Sequence, residues 1–292
     1  MTHFSRTSSR VVGTLLTGAV LCGTAACTAS GGASDDRSAA SGNINAMPVA
    51  AVQKAVDKGA KLNSVSYHLS GKVPGQGTVE GKVSFSLRPR AIDMRMKASG
   101  GKEEGEFSVR LVGDAVYLGG GRQAAAAMDG KHWLKFAMKG KKGAGAGGLG
   151  GMERQADQDP AAQASLLPQS DNVKKVGEET VDGVRTTHYA GVVEVTDLLT
   201  KRASKSALDA ERRKRVIEQY KQLGVTRLSL DMWVGPDDRT VKFRERAQAA
   251  QGPLDVTIRF FDVNKPVTVQ APPASDTVDL QQKLKEAGKR LG

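Results

Sequence analysis

The sequence predicts an α+β domain built on one antiparallel sheet, with helices packed against one face of that sheet. Three observations lead there. Residues 226–262 hold three consecutive runs of alternating apolar and polar side chains, each closed by a turn signal such as Gly235-Pro236-Asp237-Asp238. Six shorter alternating runs fall between residues 64 and 138, with Gly, Pro or Asp between most of them and no helical stretch among them. Helix-spaced apolar residues occur before, between and after these groups, which fits antiparallel hairpins and not strand–helix–strand crossovers.

In chain order, residues 1–26 are expected to be a lipoprotein signal peptide. Arg6 and Arg10 supply a positive start, Val11 to Leu21 form an apolar run too short to span a bilayer comfortably, and Gly23-Thr24-Ala25-Ala26 lead to Cys27. Small residues before a Cys resemble the site where a bacterial lipoprotein is cleaved and acylated, so Cys27 is the expected lipid-attachment residue. Thr24 stands where Leu or Val is commoner, and ordinary cleavage near Ala26 is the alternative. Cys22 follows the bulky Leu21 and is the poorer acylation site. The chain has 2 Cys, both in this leader, so the body can form no internal disulfide. Residues 27–46, rich in Ser, Gly, Ala and Asp, read as a flexible tether.

The domain is expected over 47–275. Val49, Val52, Val56 and Ala60 stand at helical spacing. Strand patterning follows: Val65, Tyr67 and Leu69; Val79, Val83, Phe85 and Leu87; Ile92, Met94 and Met96; Phe107, Val109 and Leu111; then 116–118 and 134–138. Residues 139–151 form a Gly-rich loop. Asp159 is placed as an N-cap, with Pro160 as the first residue of a helix. Strands resume at Val173 and at Val184 to Val195, and residues 205–223 carry the longest helical pattern. In the final meander Leu228, Leu230, Met232 and Val234, then Val241 and Phe243, then Leu254, Val256, Ile258 and Phe260 share the apolar face, while Asp231, Trp233, Lys242, Arg244 and Arg259 face water. Residues 276–292 read as a C-terminal tail or short helix.

Composition narrows the function. Aromatics are 4% of residues, which argues against a surface that stacks on bases or sugars. The formal net charge is +12, of which the leader supplies only Arg6 and Arg10. A basic exported protein is drawn to an anionic membrane surface, and export argues against a nucleic-acid partner. His68, His132 and His188 sit in separate strand patterns with no local metal-ligand spacing, and no nucleophile elbow or phosphate loop occurs. Gly143, Gly145 and Gly148 match Gly-x-Gly-x-x-Gly, but the antiparallel surroundings fit a flexible loop, not a dinucleotide site. An enzyme is not expected, nor a metal or other cofactor. Lys201, Lys205, Arg212 and Arg215 load the long helical segment; they form either a solvated face or a contact with anionic headgroups.

The leader with Cys27, the run Val181-Asp182-Gly183-Val184-Arg185-Thr186-Thr187-His188-Tyr189-Ala190-Gly191, the meander Leu230-Asp231-Met232-Trp233-Val234-Gly235-Pro236-Asp237 and the ending Phe261-Asp262-Val263-Asn264-Lys265-Pro266-Val267 together resemble the LppX/LprG-type lipoproteins of actinobacteria. The resemblance covers about residues 47 to 275. It implies a LolA-like fold: a strongly curved antiparallel sheet, a half barrel, with helices covering the concave face. It also implies a role in binding the acyl chains of a lipid or glycolipid and moving them in the envelope. No binding residue transfers by motif.

Inward positions here are mostly Val, Leu, Ile and Met, which suits either an adaptable apolar cavity or an ordinary dry core. Met94, Met96, Leu230, Met232, Phe243, Val256 and Ile258 are the expected ligand-binding residues on the concave side. The expected protein is a monomer, anchored on the extracytoplasmic face of the cell membrane by acylated Cys27, that carries or presents a lipid. The alternative is a structural or signalling lipoprotein of the same fold with a filled core, touching partner proteins or cell wall.

Overall fold

Alternation of side chains along each run makes two-faced strands, and the computed structural model pairs all of them. They are β1 (Ser64–Val73), β2 (Gly77–Leu87), β3 (Arg90–Ser99), β4 (Gly105–Val112), β5 (Ala115–Gly120), β6 (Trp133–Ala137), β7 (Lys174–Val181), β8 (Val184–Glu194), β9 (Arg227–Val234), β10 (Thr240–Ala249), β11 (Gly252–Phe261) and β12 (Thr277–Asp279). The helices are α1 (Ala46–Gly59), α2 (Arg122–Ala126), α3 (Asp197–Thr200) and α4 (Ala210–Gln222). The structure describes residues 46–101, 104–137, 163–200, 210–283 and 286, all within one unit, Gly42–Gly292. Cys27, the tether up to residue 45, the Gly-rich loop, Asp159, Pro160, Lys201, Lys205 and the side chain of Arg212 lie outside the described residues, and Ala46, expected in the tether, opens α1.

The 12 strands form one unclosed, curved sheet in the order β12-β6-β5-β4-β3-β2-β1-β11-β10-β9-β8-β7. Two meanders, β1 to β6 and β7 to β11, are joined where β1 pairs antiparallel with β11. Short turns set the register of most hairpins, while β5 and β6 are joined through α2 and β8 and β9 through α3 and α4. Between β7 and β8, Asp182 and Gly183 both take positive φ, 48° and 81°, the conformation that a two-residue hairpin turn matched to strand twist requires. The sheet continues beyond residue 275. Within the segment expected as a tail or short helix, Thr277–Asp279 first adds a strand parallel to β6, held by Lys135 to Asp279 at 2.9 Å and His132 to Asp276 at 2.9 Å, and residues 280–283 after it are helical. In β10, Val241 does not continue the alternation. It is the extra residue of a bulge between Thr240 and Lys242, and the period of two resumes at Lys242.

The two long helices, α1 and α4, gather over one half of the apolar face. Val52, Ala55 and Val56 of α1 and Val216, Ile217 and Tyr220 of α4 pack with Leu228, Leu230, Met232, Phe243, Leu254 and Ile258 in the main core. Fully burying each such side chain contributes about 1.5–3 kcal/mol. Lys54 of α1 pairs with Asp238 at 2.8 Å, and Lys58 donates to the carbonyl of Asp237, so α1 is tied to the β9–β10 turn. α4 ends in a Schellman motif: Gly224, at φ 73°, donates to Lys221 and Val225 to Tyr220, each at 2.9 Å. The β3–β5 part of the apolar face has its own smaller core, Val109, Leu111 and Val116, with Ile92, Met94 and Leu118 packed against it. Among the described helices, α1 and α4 cover the β7–β11 half and not the whole concave face.

Candidate functional site

Strand register decides which residues share the apolar face. One row runs Gly120, Phe107, Met96, Gly81, Leu69, Ile258, Phe243, Met232, Tyr189 across β5, β4, β3, β2, β1, β11, β10, β9 and β8. A second runs Gly71, Val256, Glu245, Leu230, Gly191, and a third carries Met94, Val83, Tyr67, Phe260. All seven residues expected to line the concave side therefore lie on one face.

That face has two different halves. Leu230, Met232 and Phe243 are 0% exposed and Ile258 is 1% exposed, packed in the main core with Val256 against them. Met94 belongs to the smaller core, and Met96 is only partly buried. These two methionines do not join the other five under the helices, because α1 and α4 pack over the other meander. Beside Met96, Phe107 is 45% exposed, and glycines flank the pair on both neighbouring strands. Met96 lies over Gly81, where a Cβ would collide with its sulfur. The row Gly120, Phe107, Met96, Gly81 is thus a shallow apolar strip beside a closed core.

One polar group interrupts the apolar face. Glu245 is 3% exposed, and burial pushes its carboxyl up to about 7; the nearby Tyr220 hydroxyl opposes that rise. Burial also raises the Tyr220 phenol. Among the described residues neither the Tyr220 hydroxyl nor Glu245 Oε1 has a hydrogen bond of good geometry, so the contact by which Tyr220 opposes the rise is a strained one.

The polar face carries a network that local spacing does not reveal. His188 Nε2 lies 2.8 Å from Asp231 Oδ1, and His188 Nδ1 lies 3.4 Å from Glu179. Arg246 donates to the other Asp231 oxygen at 2.7 Å, and the Trp233 indole N–H donates to Glu179. The His188 and Trp233 rings stack at 4.2 Å, and the Lys242 ammonium sits 3.8 Å from the Trp233 centroid. Alternation placed Asp231 and Trp233 on the face expected to meet water, yet each is 5% exposed, because the pairing of β8 with β9 brings His188 against both. Beside it, a two-bond contact from Arg244 at 2.8 and 2.7 Å holds the Asp255 carboxyl below its usual range. Among the described residues no group of three or more His, Cys, Asp or Glu converges to hold a metal ion. Arg215 of α4 is exposed. No described helix is long and apolar enough to cross a membrane.

The unclosed, mostly antiparallel sheet with helices over half of its apolar face defines the class by its architecture, an α+β domain whose likeness is to the LppX/LprG-type lipoproteins. The chain is 33% identical over 239 residues to an uncharacterized 31.2 kDa protein encoded in the rplA-rplJ intergenic region of Streptomyces griseus, across 81% of this chain and 77% of that one. It belongs to the same family as that protein. A candidate lipoprotein of Streptomyces coelicolor is 29% identical over 183 residues, which are 62% of this chain and 54% of the relative's length. The crystal structure of the Mycobacterium tuberculosis lipoprotein LppX aligns at a TM-score of 0.47 and 15% identity, across 77% of this chain and 98% of its own. No protein-family model matches the chain.

Proposed function

We propose that this protein is anchored by acylated Cys27 to the extracytoplasmic face of the cell membrane and binds the acyl chains of a lipid or glycolipid, carrying or presenting them without covalent chemistry. The supporting observation is the strip at Phe107 and Met96, a half-exposed apolar floor beside a closed core. Each CH₂ moved from water onto such a floor contributes about 0.8 kcal/mol. Flexible thioethers such as Met94 and Met96 adapt to irregular chains. Leu230, Met232, Phe243 and Ile258 then serve as the packed wall that keeps the floor rigid, and Val256 lies at its margin.

The second reading, a structural lipoprotein with a filled core, draws on those same four residues. They are 0–1% exposed and packed in the main core. Native mass spectrometry of the full chain, extracted from the membranes of its host, separates the two. Lipid binding predicts adducts that dissociate on collisional activation, leaving the covalent anchor in place, and Met96→Trp should deplete them by filling the strip. A wild-type protein with no dissociable adduct belongs to the structural reading.

A further inference from the structure

We propose that the polar face of the sheet holds a second site, independent of the acyl strip, for a linear phosphate-bearing polyanion laid across the strands. The register places Arg95 opposite Lys82, Lys82 opposite His68, His68 opposite Arg259 and Arg259 opposite Lys242, with Trp233 and His188 completing the row. At the usual strand separation the five basic side chains span about 19 Å. Like charges directly opposite one another are destabilising. The same face avoids this elsewhere: Lys97 faces Glu80, Arg110 faces Asp93, Lys72 and Arg246 face Asp255, and Arg244 faces Asp231.

Compensation within the row is slight. Arg95 reaches Asp93 at 3.2 Å and Arg259 reaches Asp182 at 3.8 Å. Lys82 and Lys242 have no carboxylate partner among the described residues. They rest instead on aromatic rings, Lys82 5.1 Å from the Phe261 centroid and Lys242 3.8 Å from that of Trp233, while His68 stacks on Phe261 at 4.7 Å. A ring contact leaves each ammonium with donors that no described carboxylate neutralises. An open recess of about 600 Å³ lies along the row, lined by His68, Arg95, Lys97 and Arg259, with Glu80 and Glu106 also on its walls.

The geometry selects the occupant. A flat anionic bilayer would meet the carboxylates of all the flanking rows as well as the cations, whereas a chain lying along one row meets its cations first, with Glu80 and Glu106 at the side of the recess. An acidic peptide in extended form repeats its charges on one side only every 6.6–6.8 Å or so, wider than the spacing of the row. A phosphate chain offers charge at every step.

The test titrates the full chain in detergent with inorganic polyphosphate of about 20 units, followed by Trp fluorescence over a salt series. Lys82→Ala with Lys242→Ala should weaken binding about tenfold or more at low salt and lower the salt slope by about 1.4, two contacts at about 0.7 each. Without polyanion, that double variant should melt no lower than wild type, because a repulsion has been relieved. Lys61→Ala with Lys221→Ala, an equal loss of exposed charge in the turn after α1 and near the end of α4, should bind as wild type does. Equal weakening by both pairs would reduce the effect to general attraction and overturn the site. So would an acidic peptide or phosphatidylglycerol vesicles engaging Lys82 and Lys242 where polyphosphate does not.

Discussion

Glu245 shows what one residue contributes against the grain of its surroundings. An unfolded glutamate titrates near 4.5 and the folded one at about 7, so below 4.5 the group is protonated in both states and costs nothing. As pH rises toward 7 the unfolded chain releases the proton while the folded protein retains it, and stability falls until about pH 7, then levels off. The full decline is on the order of 3 kcal/mol. Urea midpoints between pH 5 and 8 should fall for wild type and stay flat for Glu245→Gln; a flat wild-type curve contradicts the buried carboxyl. Cys27 belongs to this scale too. Cys27→Ala should move the protein from the membrane to the soluble fraction, since two acyl chains hold stably where one is marginal. Cys22→Ala should leave fractionation unchanged, and continued membrane retention of the Cys27 variant would remove the anchor.

At the scale of the element, α4 combines a buried stripe with a charged exterior. Val216, Ile217 and Tyr220 bury one side, the Schellman turn at Gly224 fixes the end, and Arg215 lies on the exposed side. Residues 212 and 215 are three apart, which puts them on neighbouring positions of one face. If the basic segment that begins at Lys201 and Lys205 meets headgroups, Arg212→Glu with Arg215→Glu should weaken co-sedimentation with anionic vesicles. The loss should shrink as salt shortens the screening length from about 10 Å at 0.1 M. The fold should tolerate both changes, because exposed charges contribute little. Equal sedimentation of variant and wild type at low salt returns the helix to a solvated face.

For the whole molecule, the division of the apolar face predicts unequal responses to equal chemistry. Phe243→Ala empties a site with no exposure and should cost about 3–5 kcal/mol. Met96→Ala removes a side chain already partly in water and should cost well under the 2–5 kcal/mol typical of a buried methionine. Denaturant melts of the two variants measure the contrast. A Met96→Ala cost equal to that of Phe243→Ala would mean that the β3–β4 strip is a closed core like the other half, and the acyl site would lose its floor.

Much of this organisation is local, and the sequence by itself determined it. A period of two puts successive side chains on opposite faces whatever the partner strand is, so Met94, Met96, Leu230, Met232, Phe243, Val256 and Ile258 were legible as one apolar face, and Trp233 and Arg259 as the opposite face, although Trp233 there is 5% exposed and not wetted. Turn residues such as Asp182-Gly183 likewise announce their hairpin without outside help. Partner choice is different, because it is settled by contacts between residues far apart in the chain. The pairing of Tyr67 with Phe260 joins the two meanders, and nothing near either residue names the other. That same pairing sets Lys82, His68, Arg259 and Lys242 side by side, while the pairing of β8 with β9 closes His188 on Asp231, 43 residues away. Which half of the face α1 and α4 would cover also depended on the assembled sheet. Their apolar stripes fit any apolar floor, and only the packed structure selects one and leaves Phe107 and Met96 beside it, partly in water.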